Sequence, residues 1–159
     1  MFNLKLGNKK MILYAPVKGK LIRIEDVEDK VFSSKMMGDG AAFVFEGNEV
    51  AAPCDGEITL IASTNHAFGI TAKNGAEVLV HIGLDTVNLH GKGLQPLLKQ
   101  GAAVKHGTPV IRIDREFMKE NNIDLTTPVV ITNSSEFTIE HIASTGDVTI
   151  DTEVIDLSK

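Results

Sequence analysis

Ala15-Pro16-Val17-Lys18-Gly19-Lys20-Leu21-Ile22 returns further along the chain as Ala52-Pro53-Cys54-Asp55-Gly56-Glu57-Ile58-Thr59. In each copy proline fixes φ, and the glycine after it permits a sharp reversal before an apolar run. A third segment, Gly101-Ala102-Ala103-Val104-Lys105-His106-Gly107-Thr108-Pro109-Val110-Ile111, follows the same turn-then-strand logic. Outward from these units, short apolar runs predict strands over Leu21–Ile24, Ala41–Phe45, Ile58–Ile61, Phe68–Thr71, Val78–Leu84, Val110–Ile113, Val129–Thr132, Phe137–Ile139, Val148–Ile150 and Val154–Ile155. Between them stand Gly38-Asp39-Gly40, Glu46-Gly47-Asn48, Lys73-Asn74-Gly75 and Thr145-Gly146-Asp147, the chemistry of tight turns. The even spacing predicts an all-β fold, an antiparallel sandwich or barrel. Only Gly93–Gln100 and Arg115–Asn121 predict short helices.

The bulk properties narrow the function. A chain of 159 residues is read as one domain over residues 11–159, preceded by a flexible tail over residues 1–10. The tail mixes apolar and basic side chains; Gly7 interrupts it, so it is read as loosely ordered rather than membrane-seeking. A net charge of −5 with scattered lysines argues against nucleic acid as a partner. Cys54 is the single cysteine, so no intramolecular disulfide and no multi-cysteine zinc cage can form, and a structural role is expected for it. The longest early apolar stretch, Met11 to Val17, contains Pro16 and is too short to span a bilayer. The expectation is a soluble cytoplasmic monomer.

Two of the five histidines stand in informative surroundings. His81 sits inside Val78-Leu79-Val80-His81-Ile82-Gly83-Leu84, and His66 inside Thr64-Asn65-His66-Ala67-Phe68. Strands alternate their faces, so Val78, Val80, Ile82 and Leu84 are expected in a core, with Glu77, Leu79, His81 and Gly83 on the other side. Thr64, His66 and Phe68 are expected to share a face. A neutral imidazole is a competent nucleophile near pH 7, and its phosphorylated form is labile enough to pass the group on. One histidine would attack while a second histidine and a hydroxyl donate to the phosphoryl oxygens. His81, His66 and Thr64 supply that set, and Gly83 keeps the face uncrowded. On spacing alone, a histidine in an apolar strand is more often a satisfied structural residue. His90, His106 and His141 are assigned to solvated surface.

The longer match moves the balance. Gly75-Ala76-Glu77-Val78-Leu79-Val80-His81-Ile82-Gly83-Leu84-Asp85-Thr86-Val87 resembles the signature of the glucose-family enzyme IIA of the bacterial phosphoenolpyruvate:sugar phosphotransferase system. The similarity continues through Ala15-Pro16-x-x-Gly19, Asp29-x-Val31-Phe32, Gly38-Asp39-Gly40, Ala52-Pro53-x-Asp55-Gly56, Thr64-Asn65-His66-Ala67-Phe68 and Thr127-Pro128-Val129-Val130, in collinear order. The resemblance implies a β-sandwich with a hammerhead-type repeat, the duplicated hybrid motif. It implies a phosphocarrier in which His81 accepts a phosphoryl group from phospho-HPr and passes it to a cysteine of enzyme IIB. His66 would support the transfer by hydrogen bonding, with Thr64 beside it. No cofactor is required in that role, although zinc binding through His66 and His81 is implied as an auxiliary property, completed by a partner or water.

The resemblance also implies a docking rim of Val31, Phe32, Met36, Met37 and Val87, with Asp29 and Asp85 near it. Methionine and phenylalanine on a surface suit partners of differing shape, and acidic residues steer a basic donor. Lys30 adds a positive charge to that rim, and Leu94 stands where an aromatic residue is common in the family. A regulatory, zinc-assisted binding module for metabolic enzymes or permeases, such as glycerol kinase or sugar permeases, is the alternative. Hammerhead units also occur in lipoyl and biotinyl carriers and in lysostaphin-type peptidases. Lys35-Met36-Met37 lacks the flanking pattern of a biotin site, and no His-x-His pair occurs for a zinc peptidase.

Overall fold

A computed structural model describes residues 9–159. Of the expected tail, residues 1–8 lie outside the described residues, and Lys10 opens the first strand. The largest sheet has eight strands in the order β13 (Gly146–Val148), β2 (Gly19–Arg23), β3 (Asp39–Phe45), β11 (Thr127–Ile131), β7 (Glu77–His81), β6 (Ala67–Thr71), β5 (Gly56–Ile61) and β9 (Ala103–Val104). A three-stranded sheet joins β4 (Glu49–Ala51), β10 (Pro109–Ile113) and β8 (Leu94–Pro96). Another joins β1 (Lys10–Tyr14), β14 (Glu153–Ser158) and β12 (Thr138–Ile142). Neighbouring strands pair antiparallel throughout. In β1–β14 the register sets Lys10 opposite Ser158, and the Lys159 N–H donates to the Lys9 carbonyl at 3.2 Å.

The sequence repeat is a structural one. The Tyr14 N–H donates to the Pro53 carbonyl at 2.7 Å, and the Ala51 N–H donates to the Pro16 carbonyl at 2.8 Å. These bonds exchange places when one copy of the repeat is mapped onto the other. Each copy then delivers its glycine to the start of a strand, Gly19 to β2 and Gly56 to β5. A Cβ built on Gly19 would lie 2.1 Å from the Val44 carbonyl oxygen, and one on Gly56 2.4 Å from that of Thr71. In both strand pairs the neighbouring backbone passes where a side chain would stand.

The main core lies between the sheets and gathers Leu13, Leu21, Phe43, Ile58, Phe68, Ile70, Val80, Ile111 and Ile131. On the other face of the large sheet a smaller cluster forms from Ile24, Val27, Phe32, Ala42, Leu84 and Val130. Helix α1 (Lys30–Ser33) closes over this cluster, capped by the Asp29 carboxylate, which accepts from the Val31 N–H at 2.9 Å. Strand β11 is covered on both sides, and all five of its residues are buried. Helix α2 (Arg115–Glu120) fulfils the expectation at Arg115–Asn121, capped by Asp114.

The expected helix over Gly93–Gln100 is not formed. Leu94 to Pro96 instead pair with Ile113 to Ile111, because Gly93 has a φ of +79° and Pro96 cannot donate within a helix. Conversely, α1 was not expected. The strand expected over Val78–Leu84 ends at His81, because Gly83 turns the chain with a φ of +75°. Cys54 is buried as expected, and burial pushes its thiol pKa up to about 12, so it is an inert apolar filler at neutral pH. His106 is not simply solvated. Its ring stacks on Tyr14 with centroids 3.7 Å apart, and it lies within ion-pairing distance of Asp55 and Asp151.

Candidate functional site

His81 is the last residue of β7 and lies directly across from Ala67, the first residue of β6. The ladder continues one step further, because the Ile82 N–H donates to the His66 carbonyl at 2.7 Å. That bond joins the two histidine segments through rigid backbone. Their rings meet edge to face, with centroids 5.0 Å apart and planes at 76°. Phe32 reaches the same place from α1, its ring centroid 4.9 Å from that of His81. The two imidazoles singled out in the sequence therefore form one constellation.

The expected alternation holds for Val78, Val80 and Ile82, which enter the main core, and breaks beyond β7, where Leu84 joins the smaller cluster on the other face of the sheet. It fails at Gly83, which is buried rather than outward. The work of Gly83 is also different from the expected one of leaving space. Its carbonyl accepts from His81 Nδ1 at 2.8 Å. A carbonyl can only accept, so Nδ1 carries the hydrogen and Nε2 is left with the lone pair. The tautomer is assigned from this bond. Thr64 also differs from its expected position. It precedes β6, in a turn where Asn65 has a φ of +61°, and its hydroxyl meets His66 Nδ1 at 2.5 Å. Thr64 therefore acts on the His66 ring, and His66 Nε2 remains unengaged by it.

Burial lowers the pKa of His81, against the opposing influence of the Gly83 carbonyl and the carboxylates of Asp29 and Asp85. Burial also lowers the pKa of His66, with the neighbouring His81 adding to the effect. Lowered from the ordinary value, both rings are predominantly neutral at pH 7, the form in which an imidazole offers a lone pair. The consequence for stability has a definite sign. On acidification the unfolded chain takes up these protons near pH 6.5, before the folded chain does. The contribution is fully present above about pH 6.5 and is lost as pH falls through the lowered folded values. The urea midpoint of the wild type is expected to drop more steeply between pH 6.5 and pH 5 than that of His81→Gln, whose amide does not titrate. Parallel profiles would refute the assignment.

Of the expected docking rim, Val31, Met36, Met37 and Val87 are exposed, Met36 by 76%. Asp85 is exposed and Asp29 half-buried. Phe32 does not belong with them. It is buried in the smaller cluster and reaches the site only by the edge that faces His81, because α1 must cover Ala42 and Val130 with a large apolar group. The loop that carries Met36 and Met37 is tied down by Lys35, which pairs with Glu25 at 3.4 Å and Asp39 at 3.6 Å. A groove of about 920 Å³ along Lys20, Val44, Asp147 and Ile150 includes neither histidine. Of the exposed apolar side chains, Val31 adjoins Phe32, the residue that packs on His81.

Among the described residues, no cluster of three or more His, Cys, Asp or Glu side chains could hold a metal ion. A tetrahedral zinc site takes four ligands, and among the described residues no third ligand stands with His66 and His81. Sequence reasoning did not find the Gly83 carbonyl as a ring partner. Nor did it find Thr86, a fully buried hydroxyl within the same signature.

An antiparallel β-sandwich with two neutral, coupled histidines at the end of adjacent central strands is the class defined by fold and site. The model of the phosphoenolpyruvate-dependent sugar phosphotransferase system EIIA 1 family matches residues 11–137, and the chain belongs to that family. It is similar to the PTS system glucose-specific EIIA component of Borreliella burgdorferi, with 47% identity over 78% of this chain and 66% of that protein. It is also similar to the PTS system glucoside-specific EIICBA component of Staphylococcus carnosus, with 43% identity over 86% of this chain and 20% of that longer protein. The glucose permease IIA structure from Mycoplasma capricolum superposes with a TM-score of 0.87 at 35% identity, covering 94% of this chain and 96% of that one. No helix among the described residues is long and apolar enough to cross a membrane.

Proposed function

We propose that this chain is a cytoplasmic phosphohistidine carrier in which His81 receives a phosphoryl group from phospho-HPr and hands it to a cysteine of enzyme IIB, coupled to uptake of a sugar. The observation that carries the reading is the Gly83 carbonyl on His81 Nδ1, which leaves Nε2 as the free lone pair. In the first step Nε2 attacks phosphorus, the N–P bond of the donor breaks, and the donor imidazole leaves with the electron pair. His81 keeps its Nδ1 hydrogen throughout. In the second step a cysteine thiolate of IIB attacks the same phosphorus and His81 Nε2 leaves. The transferring group has little bonding to either side and spreads charge over its oxygens, so the protein acts by positioning and by hydrogen-bond donation. With Thr64 donating to Nδ1, His66 presents an Nε2–H to those oxygens.

Val31, Met36, Met37 and Val87 form the adaptable apolar contact in this reading, while Asp29 and Asp85 attract a basic donor. Phosphorylation adds a charge of about −1.5 to −2 beside these two carboxylates, and the repulsion helps the phosphorylated protein leave partners whose facing surface is acidic. A zinc ion would be held by His66 and His81 together with a ligand from a partner or water. It would supply a Lewis-acid cross-link, and neither transfer step needs it. Glucose or a glucoside is the sugar class suggested by the relatives' names. The test is intact mass at neutral pH after incubation with phosphoenolpyruvate, enzyme I and HPr. Gain of one phosphoryl group is expected, and an unchanged mass with active upstream proteins would overturn the reading.

A further inference from the structure

Beyond the two histidines, the signature contains one more hydroxyl, and it never reaches the surface. Thr86 and Thr127 are the buried polar residues among those described, both fully inaccessible to solvent. Thr86 Oγ1 donates to the Ile82 carbonyl at 2.6 Å. Its methyl packs where a side chain on Gly83 would stand, since a Cβ built there would lie 2.6 Å from Thr86 Cγ2.

The peptide planes following His81 are tied in succession. In the first, the Ile82 N–H is held by the His66 carbonyl at 2.7 Å. In the second, the Ile82 carbonyl is held by the Thr86 hydroxyl. In the third, the Leu84 N–H is held by the Asp124 carbonyl at 2.9 Å, while the Gly83 carbonyl accepts from His81 Nδ1. A peptide unit is planar, so tying its N–H fixes the direction of its carbonyl. The middle plane connects the histidine ladder to the plane that holds the ring, and Thr86 is its side-chain anchor. The chain needs such an anchor here because Gly83 and Asp85 both adopt positive φ, +75° and +58°. Glycine in particular has other backbone states to escape to.

We propose that Thr86 is a positioning residue for phosphoryl transfer: its hydroxyl locks the turn that aims the Gly83 carbonyl at His81 and so sets the tautomer that exposes Nε2. The inference rests on the phosphocarrier reading for its kinetic consequence, but the tautomer can be observed without any phosphoryl donor. Thr86→Val keeps the shape and removes the hydroxyl; Thr86→Ser keeps the hydroxyl. Long-range ¹H–¹⁵N spectra of the His81 ring above pH 7 report which nitrogen carries hydrogen.

Wild type and Thr86→Ser are expected to show the Nδ1–H form, and Thr86→Val a mixture of both forms. Phosphoryl uptake by Thr86→Val is expected to slow about tenfold, the scale of one lost hydrogen bond, with Thr86→Ser restoring it. If Thr86→Val does not fold, Thr86→Ala is read by the same spectra. A Thr86→Val or Thr86→Ala protein with an unchanged tautomer and unchanged uptake, whatever its melting temperature, would overturn the proposal. Absence of phosphoryl uptake by the wild type, with the tautomer shift still present in the variant, would overturn the carrier reading alone.

Discussion

Replacing His81 with glutamine is expected to leave a folded protein that gains no phosphoryl group, while His66→Ala is expected to gain it about a hundredfold more slowly. In the proposed transfer the two histidines differ by role. His81 offers the nucleophilic lone pair, and its Nδ1–H is already committed to the Gly83 carbonyl at 2.8 Å. A glutamine amide fills the space but has no comparable nucleophile, so uptake falls to background. In that transfer His66 would contribute a donor aimed at charge on the moving group, and losing one such donor typically costs about 10²–10³ in rate. The check is the time course of intact mass for wild type and both variants with the same upstream proteins. Equal uptake rates in wild type and His66→Ala would remove His66 from the uptake step and confine its role to delivery to IIB. Phosphorylation of His81→Gln would move the acceptor to another residue.

Gly40→Ala is expected to lower the melting temperature by about 10 °C without touching the reacting groups. Gly40 lies in β3 opposite Val130 of β11, and β3 is itself flanked by β2 on its other side. A Cβ there would lie 2.0 Å from the Val129 carbonyl oxygen and 2.9 Å from the Val130 Cα. Both obstacles are backbone in a fully buried strand, so relief requires the two strands to separate. Overpacking of this kind costs about 3 kcal/mol, a large share of the roughly 5–15 kcal/mol that holds a domain together. Gly47→Ala is the control, since a Cβ at that position meets nothing within 4 Å. Thermal unfolding of the three proteins decides the matter. A Gly40→Ala melting temperature equal to that of the control would show that the strands yield easily.

What could be read from the sequence, and what could not, follows from the range of the interactions. The paired Ala-Pro-x-x-Gly segments disclosed the fold because proline and glycine constrain backbone locally, and the structure links the copies by reciprocal bonds. The strands with strong alternation were legible for the same reason. Strand β8 was not, since Leu94–Pro96 owes its form to pairing with β10. Helix α1 is a short cap over an apolar patch; only Asp29 hinted at it, as an N-cap. At the site, the pair His66 and His81 was legible from their motifs. The Gly83 carbonyl and the Thr64–His66 bond were hidden, because backbone acceptors leave no mark in a sequence and a hydroxyl does not announce its partner. The resemblance places Phe32 on the rim, and its burial rests on packing against Ala42 and Val130, partners distant in sequence.

The pairing of β1 with β14 brings Lys9 and Lys159 together, and the Asn74 amide reaches Lys9 at 3.5 Å from the turn that precedes β7. His81 closes that strand at its opposite end. A chain continued beyond Lys159 would therefore hold the domain on the pole away from its histidines. A body leashed at a single pole can swivel, presenting one unchanged face first to a soluble visitor and then to an anchored neighbour. The same geometry serves a free-standing carrier and a module strung onto a longer polypeptide, such as the Staphylococcus carnosus relative in which the matching segment is 20% of the length.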